Sequence, residues 1–140
     1  MADYSALYAQ FKEAGTELIA LSVDPPDRAS AMKRDLRLPF TILSDSRREV
    51  ITKFGLLNAR EKGGIAIPAT IVIDRSMKVL FASGNEVHSR VQAADALAWV
   101  RSFAAGNEGK PPRARILMPG AMFLRAMVNG FRHGVQVKRE

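Results

Sequence analysis

Residues 65–74, Ile-Ala-Ile-Pro-Ala-Thr-Ile-Val-Ile-Asp, constrain the fold more than any other stretch of the chain. The run 69–73 is short, rich in β-branched side chains and free of polar alternation, the pattern of a strand buried on both faces. Pro68 stands at its first edge, where a missing N–H costs a ladder least. Asp74-Arg75-Ser76-Met77 then turns the chain into a second apolar run, 78–83, so the pair reads as a hairpin.

The residues before it read as βα units feeding the same sheet. Tyr4, Leu7, Tyr8 and Phe11 recur at i, i+3, i+4 and i+7, one stripe of a helix, with Asp3 placed to cap it and Gly15 to end it. Residues 17–23 follow as a second interior strand, broken by Asp24-Pro25-Pro26-Asp27. The spacing predicts a helix over 27–36 with Ala29, Met32 and Leu36 inward, then a third strand over 40–43. Ser46-Arg47-Arg48-Glu49 has capping-box spacing, with Val50, Ile51 and Phe54 on one face behind it and Gly55 closing the helix. Residues 56–66 read as a loop in which Gly63-Gly64 is a hinge, since it lacks the spacing of a phosphate loop.

Beyond the hairpin, a helix is predicted over 88–103, with Ala93, Leu97, Val100 and Ala104 inward and Trp99 facing away from the sheet. Residues 105–115, with two Gly, two Pro and three bases, form a linker. Residues 119–132 make a last helix, with Met122, Phe123, Ala126 and Met127 on a wide apolar face and Arg125, Asn129 and Arg132 on a narrow polar one. The organisation is therefore an α/β domain over 1–104, a linker over 105–115 and a basic amphipathic tail over 116–140.

Charge follows the same division. Residues 110–140 carry seven Lys or Arg and one acid, net +6, which leaves fourteen bases and thirteen acids, net +1, in residues 1–109. The domain is nearly neutral and the tail is the cation, a distribution that speaks for an anionic surface rather than a nucleic-acid-binding domain. Bases and aromatics are not interleaved as stacking platforms require, so nucleic acid is not expected as a partner. Residues 116–128, the most apolar candidate for a membrane span, contain a Pro, a Gly and an Arg and fall short of the roughly 20 residues a crossing helix needs. The opening Met-Ala-Asp-Tyr-Ser has neither the basic start nor the apolar core of a signal peptide, which makes the cytoplasm the default location.

The chain has no cysteine, which removes disulfides, thiolate metal sites, Fe–S clusters and a cysteine nucleophile together. Its two histidines, His88 and His133, lack ligand spacing, so neither a metal nor another cofactor is expected. His88 reads as a solvated neighbour of a helix start and His133 as a cation favoured by a helix end. Thr70 reads as a satisfied core hydroxyl, with no base positioned to activate it.

Three segments, in order and spacing, carry a resemblance. Glu-Leu-Ile-Ala-Leu-Ser-Val-Asp ending at Asp24, Leu-Pro-Phe-Thr-Ile-Leu-Ser-Asp ending at Asp45 and Pro-Ala-Thr-Ile-Val-Ile-Asp ending at Asp74 resemble the peroxiredoxins of the alkyl hydroperoxide reductase/thiol-specific antioxidant family. The resemblance covers residues 4–103 and not the tail. It implies a thioredoxin-like three-layer α/β/α domain and an antioxidant oxidoreductase lineage, in which a cysteine at the start of the first helix reduces peroxides. The strand before that helix, the turn bearing the cysteine and the cysteine itself have no counterpart here. The family's arginine has none either, because Ile67-Pro68 occupies its place.

The resemblance puts the absent strand in the middle of the sheet, between residues 17–23 and 69–73. Each buried, unpaired N–H or C=O costs about 1–3 kcal/mol against a native stability of about 5–15 kcal/mol. Three repairs are open: the flanking strands pair directly, a strand arrives from another chain by β-augmentation, or the chain folds poorly. Two functional readings follow. In one, the gene product is a peroxiredoxin-type oxidoreductase whose catalytic segment is encoded upstream, and these residues alone are inactive. In the other, the scaffold is a non-catalytic interaction or dimerisation module that uses the open sheet and the tail, with a homodimer or a strand-donating chain as partner.

The candidate site residues are a remnant cleft, Ile67, Pro68, Ala69 and Asp24, and a contact surface, Trp99, Met122, Phe123 and Met127. The resemblance favours a cis Ile67–Pro68 bond lining the cleft; a trans proline at a strand start is the plain alternative. Asp24 and Asp45 end strands on the side where open α/β sheets hold ligands, although turn and cap roles account for such acids more simply. For the tail, folding back over Trp99 is favoured over contact with an anionic membrane or a partner.

Overall fold

In the computed structural model, residues 1–61, 63–84, 89–107, 109–113 and 115–116 are described. The predicted first helix is present as two pieces, α1 (Ala2–Ala6) and α2 (Tyr8–Glu13), separated where Leu7 turns to φ −102° and ψ 6°. The Leu7 and Phe11 amides still donate to the Asp3 and Leu7 carbonyls, which keeps the apolar stripe in line, and Tyr4 stacks on Phe11 at 5.9 Å. Asp3 does not cap the helix; Met1 holds that position with no side-chain bond. Gly15, at φ +70°, ends it as predicted, its amide bonding to Lys12 and that of Thr16 to Phe11.

β1 (Ile19–Ser22) runs parallel to β2 (Thr41–Ser44), joined by α3 (Pro26–Asp35). Burial of β1 on both faces does not hold. Leu18 packs towards Phe11, whereas Ile19 is 61% exposed and Leu21 and Leu43 also face solvent. The register places Ile19 beside Thr41 and Leu21 beside Leu43, so one face of a parallel ladder, a type normally covered on both sides, is bare. Leu36 faces out as well, because α3 ends before it and Arg37 turns to φ +48°; Leu38 and Phe40 enter the core instead.

α4 (Glu49–Lys53) is not started by the Ser46/Glu49 capping box. The Asp45 carboxylate accepts the Val50 and Ile51 amides instead, at 3.2 and 3.0 Å. Only Ile51 of the predicted apolar face is buried; Val50 and Phe54 are exposed on so short a helix, which Gly55 closes at φ +66°. The expected loop over 56–66 contains a small antiparallel ladder, β3 (Leu57–Asn58) with β4 (Ile65–Ala66). Gly64 is buried there at φ +98°, and a Cβ would stand 3.2 Å from Arg48 Nε and from a Leu57 methyl, so this glycine is fixed by close approach rather than serving as a hinge.

β5 (Ala69–Ile73) and β6 (Val79–Gly84) form the predicted antiparallel hairpin, with an irregularity between Val72 and Ile73. Asp74 organises its turn: Oδ1 accepts the Ser76 amide, the Ser76 hydroxyl and the Lys78 amide at 2.8, 2.6 and 2.9 Å. The middle of β5 is half-buried, but Ala69 and Ile73 are exposed, so this strand is not enclosed along its length either.

α5 (Ala93–Ala104) begins five residues later than predicted, after β7 (Ser89–Arg90), which pairs with β8 (Arg115–Ile116). It buries Ala93, Ala96, Leu97, Trp99 and Val100, and Ala104 is exposed. Trp99, expected on the outer side, is 9% exposed. Its ring lies 5.7 Å from that of Phe81, and its indole N–H donates to the Gly109 carbonyl at 3.1 Å. The inward stripe of α5 is wider than its sequence implies because residues 109–113 lie back along the helix as a strap and supply a second wall.

Phe11, Val91, Ala96 and Leu97 form the core, with Tyr4, Leu7, Leu18 and Phe81 packed around them. The α1–α2 pair and α5 therefore cover β1 and the β5–β6 hairpin together. Among the described residues β1 pairs only with β2 and β5 only with β6, so direct pairing of β1 with β5 is not the repair adopted. Residues 119–132, with Met122, Phe123 and Met127, lie outside the described residues, as do His88 and His133.

Met77 sits at φ +66° with 74% of its surface exposed, so its side chain is strained without packing in return. Met77→Gly is expected to raise the melting temperature by about 2–4 °C in a thermal denaturation followed by circular dichroism.

Candidate functional site

The Ile67–Pro68 bond is trans, since the described chain has no cis peptide. The cis bond favoured by resemblance is thereby corrected, and the local path gives the reason. The Ile67 amide donates to the Leu56 carbonyl at 2.7 Å, directly after β4, and the β5 ladder begins at Ala69. No tight reversal is required between two strands so closely spaced, and trans is the ordinary isomer by about 0.5–1 kcal/mol. Ile67 and Pro68 are half-buried and Ala69 is exposed.

Asp24 belongs to the other ladder. The Ser22 hydroxyl donates to Asp24 Oδ2 at 2.6 Å, the Asp24 amide donates back to Ser22 Oγ at 3.1 Å, and the Ser44 hydroxyl donates to the Asp24 carbonyl at 2.6 Å. These bonds tie the carboxyl ends of β1 and β2 together. Among the described residues no hydrogen bond links Asp24 to Ile67, Pro68 or Ala69, so the four residues named from sequence are not one constellation.

Asp45 is more closely held. Burial pushes its carboxyl up, but the amides of Ile51, Val50 and Glu49 and the nearby Arg48 guanidinium outweigh burial and leave it below the ordinary carboxylate value. Arg48 Nε donates to the Gly64 carbonyl at 2.8 Å, which ties this end of β2 to the β3–β4 ladder. The signal for the Asp45 cap was present in sequence, an acid four residues ahead of α4, but the Ser/Glu spacing beside it reads more strongly.

Thr70 is half-buried on β5, beside Tyr4, whose phenol donates to the Val91 carbonyl at 3.3 Å; burial raises the Tyr4 pKa and the Thr70 hydroxyl partly offsets it. Among the described residues no group of three or more His, Cys, Asp or Glu could hold a metal. No thiol is present in the chain, and no described serine or threonine is paired with an imidazole. This end of the sheet can position backbone and hydroxyl groups, but it does not assemble an activated nucleophile. Trp99, named as a contact residue, is buried under the strap, where a groove of about 700 Å³ runs between Asp95, Ala98 and Ser102 on α5 and residues 109–113.

A parallel βαβ ladder and an antiparallel hairpin beneath shared helices, with a helix after the hairpin, define a thioredoxin-like α/β domain. Solved structures agree on this fold. AhpC of Mycobacterium tuberculosis superposes with a TM-score of 0.67 over 77% of this chain and 61% of its own, at 23% identity. AhpC of Enterococcus faecalis gives 0.66 over 77% and 67%, at 19% identity. The AhpC/TSA family profile matches residues 1–82. The chloroplastic peroxiredoxin Q of Gentiana triflora is 30% identical over 95 residues, 68% of this chain and 43% of that protein. A Thermoplasma volcanium peroxiredoxin is 27% identical over 129 residues, 78% of this chain and 63% of that one. The chain belongs to the AhpC/TSA family, a peroxiredoxin-lineage protein without a cysteine, and it spans roughly half the length of these curated relatives.

Asp45→Ala is expected to lower the melting temperature by roughly 4 °C at neutral pH, the scale of one lost helix cap. Because the folded carboxyl lies below its ordinary value, its contribution is fully present above that value and lost as pH falls through the lower folded one. Melting curves of parent and variant should therefore converge as pH drops below about 4.

Proposed function

We propose that these 140 residues act as a strand-accepting peroxiredoxin-fold module, with no thiol peroxidase turnover of their own. The supporting observation is that β1–β2 and β5–β6 are separate ladders under one helical cover, β1 and β5 each paired on one side only among the described residues. An extended segment that bonds to these edges would complete a sheet, with backbone bonds supplying affinity and the apolar neighbours Leu18, Ile71 and Val72 favouring an uncharged, β-branched strand. The strand donor, a second copy of the chain or another polypeptide, is part of the proposal. Any peroxide chemistry would enter with that donor, because sulfenic acid formation needs a thiol that this chain lacks.

Within this reading Pro68, Ile67, Ala69 and Asp24 border the accepting end of the sheet rather than forming a catalytic set. The oxidoreductase reading, in which the catalytic cysteine lies outside these 140 residues, agrees in giving them no thiol peroxidase turnover of their own.

Two measurements test the proposal on the purified chain. Hydrogen exchange should show the amides of Ile19–Ser22 and Ala69–Ile73 exchanging much faster than those of α5, with protection gained in any dimer resolved by light scattering. Full protection of both strands in a strict monomer overturns strand acceptance. Separately, peroxide-dependent oxidation of dithiothreitol should not exceed the buffer blank, and turnover above it overturns the claim of inactivity.

A further inference from the structure

We propose that the bare face of the β1–β2 ladder docks reciprocally onto a second copy of the chain, with α4 of each copy lying over the ladder of the other. Alternation along the two strands separates their faces. Leu18 packs towards Phe11, and the Phe40 ring lies 6.3 Å from that of Tyr8, so these positions turn to the helical layer. Ile19, Leu21, Thr41 and Leu43 take the opposite face, where the register pairs Ile19 with Thr41 and Leu21 with Leu43. All four residues are exposed, and no charged side chain stands on these two rungs.

Asp45 marks the end of this face that is already covered. Its amide donates to the Ser22 carbonyl at 2.7 Å, which continues the ladder past β2 and turns its side chain to the same face as Leu43. There the carboxylate is buried and holds the first turn of α4, where Ile51 is buried too. α4 therefore stands as a ridge at the carboxyl end of the face and leaves the amino end open. Val50 and Phe54, one helical turn apart on that ridge, are both exposed, Phe54 by 51%. A ridge at one end and an open apolar floor at the other are self-complementary: a two-fold axis crossing the strands sets each ridge over the other copy's Ile19–Thr41 rung. An anionic surface or a nucleic acid finds no charge on the rungs to meet. The patch is smaller than the roughly 800 Å² that each partner of a standard complex buries, so the dimer is weak and forms as concentration rises.

The contact runs through side chains, so it stands or falls apart from strand acceptance. Analytical ultracentrifugation of the full chain from about 5 to 500 μM should show the mass rising from one chain towards two. Ile19→Lys and Phe54→Asp should each raise the dissociation constant at least about tenfold, with parent-like melting and Trp99 emission showing that the fold is kept. Leu36→Lys, at an apolar residue exposed beside α1 on the helical side, should leave association unchanged. An equimolar mixture of the first two variants should recover association, because one contact then sets the new acid against the new base and the other is unaltered. A monomer at every concentration, association unchanged in both variants, equal loss with Leu36→Lys, or no recovery in the mixture would each overturn the proposal. In hydrogen exchange, docking of the faces leaves Ala69–Ile73 fast. A dimer that protects Ala69–Ile73 and survives both substitutions is strand acceptance alone and overturns face docking.

Discussion

The packing of Phe11 against Leu18 on one side and against Val91 and Leu97 on the other is what makes these elements one domain. Neither two-stranded ladder could stand alone, because an isolated hairpin or βαβ pair has too little apolar area to offset its ordering entropy. The α1–α2 stripe bridges them, and Tyr4 adds a hydrogen bond to the Val91 carbonyl ahead of α5. Among the described residues, cohesion thus comes from the helical layer and not from a continuous set of backbone bonds through the sheet. That is an unusual division of labour for an α/β domain, where the sheet normally provides the rigid platform.

The consequences are visible in which side chains are hidden. Buried residues cluster beneath the helices, at Phe11, Ala29, Phe40, Leu97 and Trp99, whereas the opposite side of β1–β2 leaves Ile19, Leu21 and Leu43 in water. The same uneven cover explains why Asp24 and Asp45 are structural acids. Each lies just beyond the end of a strand of the β1–β2 ladder and spends its oxygens on neighbouring hydroxyls or amides. Polar groups at the carboxyl ends of β1 and β2 are satisfied by their own neighbours.

Much of this was legible from residue order. The hairpin around Asp74, the helix ends at Gly15 and Gly55 and the lineage all follow from local chemistry: turn acids, glycines needed at positive φ, and short apolar runs ending in Asp. What failed were statements about surroundings. An uninterrupted apolar run such as Ile19-Ala-Leu implies two covered faces only if two layers exist to cover them. Trp99 was placed outside because helical periodicity knows nothing of a strap ten residues downstream. The cis bond at Pro68 was inferred from ancestry, while its real conformation is set by strands on either side. The cleft residues were grouped by position along strands, yet they lie on ladders that share no backbone bonds among the described residues.

Trp99 is the only tryptophan in the chain, and its ring meets β6 through Phe81 and the strap through Gly109. The hairpin, α5 and the returning chain thus converge on one chromophore. Loosening any of the three would change the surroundings of the same indole, so the molecule carries a built-in optical gauge of whether its carboxyl-terminal layer is seated.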